Sequence, residues 1–312
     1  RRRSMPLRIH EYDPRRLEAM AALYNRQTEG EPHIAPLTAE RFERLVADKT
    51  YFDPALLLVA TDGPDVVGWV HGCIAPRTEP WHDADKFAAR IRMLLYRPEQ
   101  LAAGALLVAE ATSRLRGTGF LEIEAMHARA GYPFYRGLWM GGEPLCPATL
   151  PHVHLALEVA GYRAAQESIF MTATMPEGPP SLRSGPAFDL VESTEEMAHG
   201  GMRESWVGFE PRRIDAFRDG DRLGGIGWVL LPCLDRLGAP CVNIWTLGVG
   251  EQHRRRGVAT ALVSRVMALG YEMGARHASV STQLWNAAAQ GTYAKLGFTP
   301  HRMLIGREIR AG

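Results

Sequence analysis

The stretch "VNIWTLGVGEQHRRRGVATALV", residues 242–263, changes character twice. Up to Val249 it alternates and then runs apolar, as a buried strand does. From Val258 the period becomes helical, with Val258, Leu262, Val266, Leu269 and Met273 on one face, so the helix starts at Arg256 or Gly257. The three arginines therefore stand at a helix N-terminus. There the first amides have no partner inside the helix and the macrodipole favours an anion. A pyrophosphate can be held there by main-chain donors, and Gly257 and the small Ala259 allow it to come close. No GxxxxGKS or GxxxxGKT occurs and no GxGxxG follows the strand, which excludes a Walker loop and a dinucleotide fingerprint. The "GGIG" of residues 224–227 falls inside a hairpin strand, where glycine permits close packing.

The rest of the composition keeps that arginine run local. The chain has 312 residues, enough for two domains, and 36 Lys+Arg against 35 Asp+Glu leave a net charge of +1. No global positive field draws it to nucleic acid or to a membrane surface. Cys73, Cys146, Cys233 and Cys241 form no CxxC pair, which reads as free thiols in a reducing cytoplasm. No apolar run approaches the roughly 20 residues that span a bilayer. A soluble, cytoplasmic monomer or homodimer is expected. The opening "RRRSMP" is assigned no function. His152 and His154 lie two residues apart, on different faces of a helix and without a third ligand, so no metal site is expected.

The sharpest break is "PEGPPSLRSGP", residues 176–186, whose prolines and glycines exclude helix and interior strand. The expected division is residues 1–176, a linker at 177–186, and residues 187–312. The first part reads as strand, two helices near 14–27 and 38–48, and a hairpin turning at Asp62-Gly63. A helix near 99–117, the strand "FLEIEA", a helix near 149–160 and a strand near 166–175 follow. The order repeats after the linker: strand "FDLVES", helix near 195–206, hairpin, strand, long helix, strand, short helix, strand. Each part is an α+β layer fold, a mostly antiparallel sheet with a strand–helix–strand crossover at its centre.

A second signal lies downstream in "STQLWNAAAQGTYAKLGF", residues 281–298, where Asn286 is placed to cap a helix that carries Tyr293 and stops at Gly297-Phe298. Together the two blocks resemble the GCN5-related N-acetyltransferase (GNAT) superfamily. Its Q/R-x-x-G-x-G/A loop matches Arg254-Arg255-Arg256-Gly257-Val258-Ala259, and its Asn-x6-Tyr with trailing Gly-Phe matches Asn286 to Phe298. The match covers roughly residues 187–310.

The resemblance implies two tandem GNAT-like domains, each a mixed sheet flanked by helices with splayed central strands. It implies acetyl-CoA as co-substrate, its pyrophosphate on the amides of Arg254 to Thr260 and its thioester and pantetheine along Leu247 and Val249. Asn286 is counted with the cofactor-binding residues, and Tyr293 matches the general acid that protonates the leaving thiolate. Many members carry a glutamate where Asn243 stands. Asn243 cannot take a proton; it is expected to orient a water or the amine, and His253, Glu251, Glu210 and Glu204 are the candidates for a remote base. Trp245 and Trp285 are candidates for lining the acceptor cleft. The first part has Ala103 or Ala105 where the loop glycine belongs, and reads as a degenerate domain. A chain of this design resembles the mycothiol synthase group, although Asn243 departs from that group's strand carboxylate. The expected activity is acetyl transfer to a primary amine of a small molecule, with the active site in the second part. The alternatives are a non-catalytic acyl-CoA sensor and a protein or peptide N-acetyltransferase.

Overall fold

Two strand–helix–strand crossovers organise the chain, each in its own compact unit. A computed structural model describes residues 6–76, 87–127, 134–175, 177–179, 188–194 and 204–310. One unit comprises Arg1–Glu167, Ala198–Val207 and Leu304–Gly312, the other Ser168–Met197 and Gly208–Met303.

The first unit opens with strand β1 (Arg8–Glu11), helix α1 (Leu17–Gln27) and a short α2 (Ala39–Phe42) that loosens into a π turn over Glu43–Ala47. The hairpin of β2 (Leu57–Asp62) and β3 (Asp65–Pro76) turns where Asp62-Gly63 predicts it. Next come β4 (Phe87–Tyr96), α3 (Leu101–Gly117), β5 (Ile123–Ala125), β6 (Cys146–Pro147) and α4 (Pro151–Val159). The strand order is β1-β2-β3-β4-β5, completed by the end of β13 (Thr299–Ile309), with β4 and β5 parallel and the other pairs antiparallel.

The second unit takes β7 (Arg163–Thr174) from Ser168 onward, then β8 (Asp189–Thr194), β9 (Arg212–Arg218), β10 (Asp221–Leu231) and β11 (Cys241–Val249). Helix α5 (Val258–Glu272), β12 (His277–Gln283) and α6 (Ala287–Ala294) follow. The order is β7-β12-β11-β10-β9-β8, with β11 and β12 parallel. Residues 195–203 of the helix expected near 195–206, and 180–186 of the expected linker, lie outside the described residues.

The apolar stripe of α5 makes this unit's core. Val258, Leu262, Val263, Val266 and Met267 pack against Ile214, Ile226, Trp228, Val242 and Ile244, with Tyr293 and Phe298 of the following segment. Each such side chain contributes roughly 1.5–3 kcal/mol by leaving water. The stripe ends earlier than its period suggests: Leu269 is partly buried and Met273 is exposed, because the helix closes at Glu272. Strand alternation sends Val242 and Ile244 to the helix face and Asn243 to the other.

Candidate active site

β10 and β11 pair along their length with one slip. Gly227 faces Thr246 and Trp228 faces Ile244, which leaves Trp245 as the extra residue of a bulge. The parallel partner is lost at the same place. β11 pairs with β12 from Cys241↔His277 to Ile244↔Val280, while the strands themselves run on to Val249 and Gln283. Among the described residues the β11–β12 ladder stops at Ile244↔Val280, short of the ends of both strands. The central strands part there, and the freed edge carries Leu247 and Val249.

That edge leads into the arginine loop. After a 3-10 turn at Glu251–His253, Arg255 and Gly257 both adopt left-handed backbone, with φ of 61° and 86°, and α5 begins at Val258. Such alternation curves successive amides into a concave nest for an anion. The first helical bond runs from Ala261 N–H to the Gly257 carbonyl at 2.9 Å, so among the described residues the amides of Val258, Ala259 and Thr260 have no main-chain acceptor. A Cβ on Gly257 would meet nothing within 4 Å; glycine is needed there for its backbone angle, and the space above it is open to a ligand. The side chains of Arg254, Arg255 and Arg256 are exposed, Arg254 Nε lying 3.5 Å from the Val249 carbonyl.

The remaining site residues flank the parted strands. Asn243 is buried and donates from Nδ2 to Ser279 Oγ at 3.1 Å. Ser281, two residues beyond on the same face, has a buried Oγ without a hydrogen-bond partner among the described residues. Asn286 caps α6, its side chain accepting from Ala289 N–H at 3.2 Å, which leaves its amide nitrogen for other contacts. Tyr293 sits 4% exposed in the α5 core, 5.6 Å from the Phe298 ring, and burial raises its phenol well above the ordinary range near 10. It keeps its proton at neutral pH, as an acid requires. The ring of Trp245 lies over Gly227, whereas Trp285 is 78% exposed.

No candidate base hydrogen-bonds Asn243. Glu204 belongs to the first unit and accepts from the Thr50 amide, Glu210 pairs with Arg212 at 3.4 Å, Glu251 is exposed, and His253 packs beside Gly250. Sequence reasoning passed over Asp215, which Arg213 and Arg222 hold on the face that also bears Asn243. Its signal was the alternation of "RRIDAFR", residues 212–218, with Ile214 and Ala216 in the core and the residues between them outward.

The first unit repeats the bulge and fills what lies around it. The β3–β4 register slips between His71 and Gly72, making Arg92 the bulged residue. Arg92 is buried, donates to the carbonyls of Pro144 and Phe134 at 3.2 Å each, and stacks 5.4 Å from the Tyr135 ring. Tyr135, in left-handed backbone at φ 63°, bonds His71 Nδ1 at 2.8 Å. Burial and then the Arg92 charge lower the His71 pKa to about 3, so His71 is neutral. Between β4 and α3 only residues 97–100 intervene, four against the eight of 250–257. Ala103 and Ala105 lie inside α3; the residue at its start is Gln100, at φ −105°, and the Tyr96 ring packs on Gly104 in the first turn. His152 and His154 face separate partners, Gln27 and the Pro147 carbonyl.

Residues 183–298 match the acetyltransferase (GNAT) family. No curated protein matches the chain. Among solved structures, a GCN5-related N-acetyltransferase from Sphaerobacter thermophilus is 14% identical, with 99% of this chain and 97% of that one aligned at a TM-score of 0.65. A tandem GNAT protein from the clavulanic acid biosynthesis pathway is 16% identical over 98% and 99% of the two chains, TM-score 0.60. A GCN5-related glucosamine N-acetyltransferase region of a fungal multi-domain β-N-acetylglucosaminidase is 13% identical over 97% of this chain and 38% of that one, TM-score 0.66. At such identities the likeness is one of fold, and the fold is a tandem GNAT fold along the whole chain. Among the described residues no helix is long and apolar enough to cross a membrane.

Proposed function

We propose, from the premise that this chain carries a GNAT acetyltransferase domain over residues 183–298, that its second unit transfers an acetyl group from acetyl-CoA to a primary amine of a small molecule. One observation carries the reading: the strands part at Ile244 and Val280, and the freed edge of β11 runs into unpaired amides at the start of α5. Acetyl-CoA fits that arrangement, its pyrophosphate over Arg254 to Thr260 and its pantetheine along Leu247 and Val249.

The neutral amine attacks the thioester carbonyl carbon. The C–N bond forms, the C–S bond breaks, and the thiolate takes the proton of the Tyr293 hydroxyl. Asn243, fixed by Ser279, orients the attacking nitrogen, whose surplus proton leaves to water while water returns a proton to Tyr293. Holding both reactants in one cleft supplies most of the rate. The first unit binds no CoA on this reading, because its bulge is filled by Arg92 and its loop is four residues shorter. Thiol release from acetyl-CoA with a panel of amines tests the proposal. Acceleration by small primary amines supports it; CoA binding without acceleration by any amine or peptide makes the protein an acyl-CoA sensor instead.

A further inference from the structure

Where the parallel ladder stops, β12 is held from its other side. Ser281, Thr282 and Gln283 lie past the last rung with β11, yet they pair with Phe170, Ile169 and Ser168 of β7. Ser281 is therefore a fixed position at the point where the central strands part. Alternation sets its direction: Ala278 and Val280 belong to the α5 core, so Ser279 and Ser281 face the other side with Asn243. Phe170, directly across from Ser281 and fully buried, makes an apolar wall beside it. Ser281 Oγ is buried and has no hydrogen-bond partner among the described residues, although the residue as a whole is partly exposed. Such an unbonded hydroxyl destabilises the free fold and is the kind of group a ligand satisfies.

Asn243 supplies a second oxygen nearby. Ser279 Oγ donates to the Val242 carbonyl at 3.4 Å and so accepts from Asn243 Nδ2 at 3.1 Å. With Nδ2 committed there, Oδ1 is the end of Asn243 left to meet a donor. Ser281 lies one strand across and two residues along from Asn243, roughly 8 Å between Cβ atoms by sheet spacing. The two side chains close that to about 5 Å between oxygens, the separation one nitrogen bridges with two N–H bonds of about 2.9 Å.

Resting on the acyl transfer proposed above, we infer that Ser281 is a second residue that binds the acceptor nitrogen: its Oγ takes one N–H of the attacking amine while Asn243 Oδ1 takes the other. A neutral primary amine then has both hydrogens bound and its lone pair free for the thioester carbon. The apolar wall favours this neutral form over the ammonium. A secondary amine has a single N–H, so one of the two oxygens stays unbonded in a desolvated site, and a site built for a hydrogen bond rejects the analogue that lacks it. Ser281 thus sets a preference for primary over N-methylated amines.

The test uses the full chain loaded with CoA and two matched pairs, hexylamine against N-methylhexylamine and benzylamine against N-methylbenzylamine. Each is followed by calorimetric binding and, with acetyl-CoA, by thiol release. The primary member of each pair should be favoured about tenfold or more. Ser281→Ala should cut that preference to about threefold or less by weakening the primary amines, and Ser281→Thr, which keeps a hydroxyl, should retain most of it. The Ala variant should melt no lower than the native protein, because the hydroxyl it removes bonds nothing in the free fold. Equal handling of both members by the native protein, a preference untouched by Ser281→Ala, or a lowered melting temperature in that variant overturns the inference even if amines are acetylated. A binding preference that Ser281→Ala removes, without thiol release from any amine, leaves the inference standing and overturns acyl transfer.

Discussion

Two crossovers in this chain begin alike and end differently. In each, a strand with a bulge is followed by a helix, the bulged residue being Arg92 in one and Trp245 in the other. The strand tails after the bulge, to Tyr96 and to Val249, have equal length. The divergence lies in the loop between strand and helix. Eight residues with two left-handed positions precede α5 and leave its first amides open; four residues precede α3, and an aromatic ring lies on its first turn. At one crossover the helix-start amides have no main-chain acceptor among the described residues, while around the other Arg92 donates to two carbonyls and His71 Nδ1 bonds Tyr135. A shared scaffold sets the bulge, and on the proposed reading loop length decides whether a phosphate can be held.

Substitutions can break this contrast at several points. The largest effect is expected from Gly257→Glu, which strains a φ of 86° and places an anion where the diphosphate belongs. The acetyl-CoA KM should rise by on the order of 100-fold, about 2.7 kcal/mol, read from initial rates; an unchanged KM would remove the cradle. Tyr293→Phe should lower kcat by about 100-fold while cofactor affinity stays constant. Since burial raises the phenol pKa, this tyrosine also sharpens alkaline behaviour: unfolding releases its proton above about pH 10, so stability contributed there falls as pH rises, and the Phe variant should lose less. Asn243→Ala, which removes the side-chain amide that donates to Ser279 Oγ and no longer orients the amine, should cost roughly tenfold in kcat with acceptor KM rising in step.

The smallest effect on activity is expected in the first unit. His71 is neutral in the fold with a pKa near 3, against about 6.5 unfolded, so the unfolded chain binds the extra proton and stability falls as pH drops from about 6.5 toward 3. His71→Gln should flatten that acid limb in denaturant melts while kcat and acetyl-CoA KM stay within about twofold. A change in cofactor affinity would show that the first unit takes part in binding.

Much of this was legible in the chain because it is local. The period change at Val258, the glycine before it and the Asn286 cap are written within a few residues of one another, and they appear as a helix start, a left-handed turn and a side-chain bond. Strand pairing is not local. β7 from Ser168 joins β12, and β13 from Leu304 joins β5, although sequence order places each beside the other unit's strands. The convergence of Arg213, Asp215 and Arg222 over Gly225 depends on the β9–β10 register, and the polar plug of the first unit on a loop folding back over His71, so neither has a short-range signature. The glycine alignment of the first part missed for a simpler reason: with four fewer loop residues the position at the start of α3 is Gln100, and Ala103 and Ala105 lie inside the helix.

The central claim, one working cleft and one filled one, is tested most directly by calorimetric titration of the full chain with acetyl-CoA. One molecule should bind per chain in the native protein and none in Gly257→Glu. Two molecules per chain, or one retained in Gly257→Glu, would contradict it.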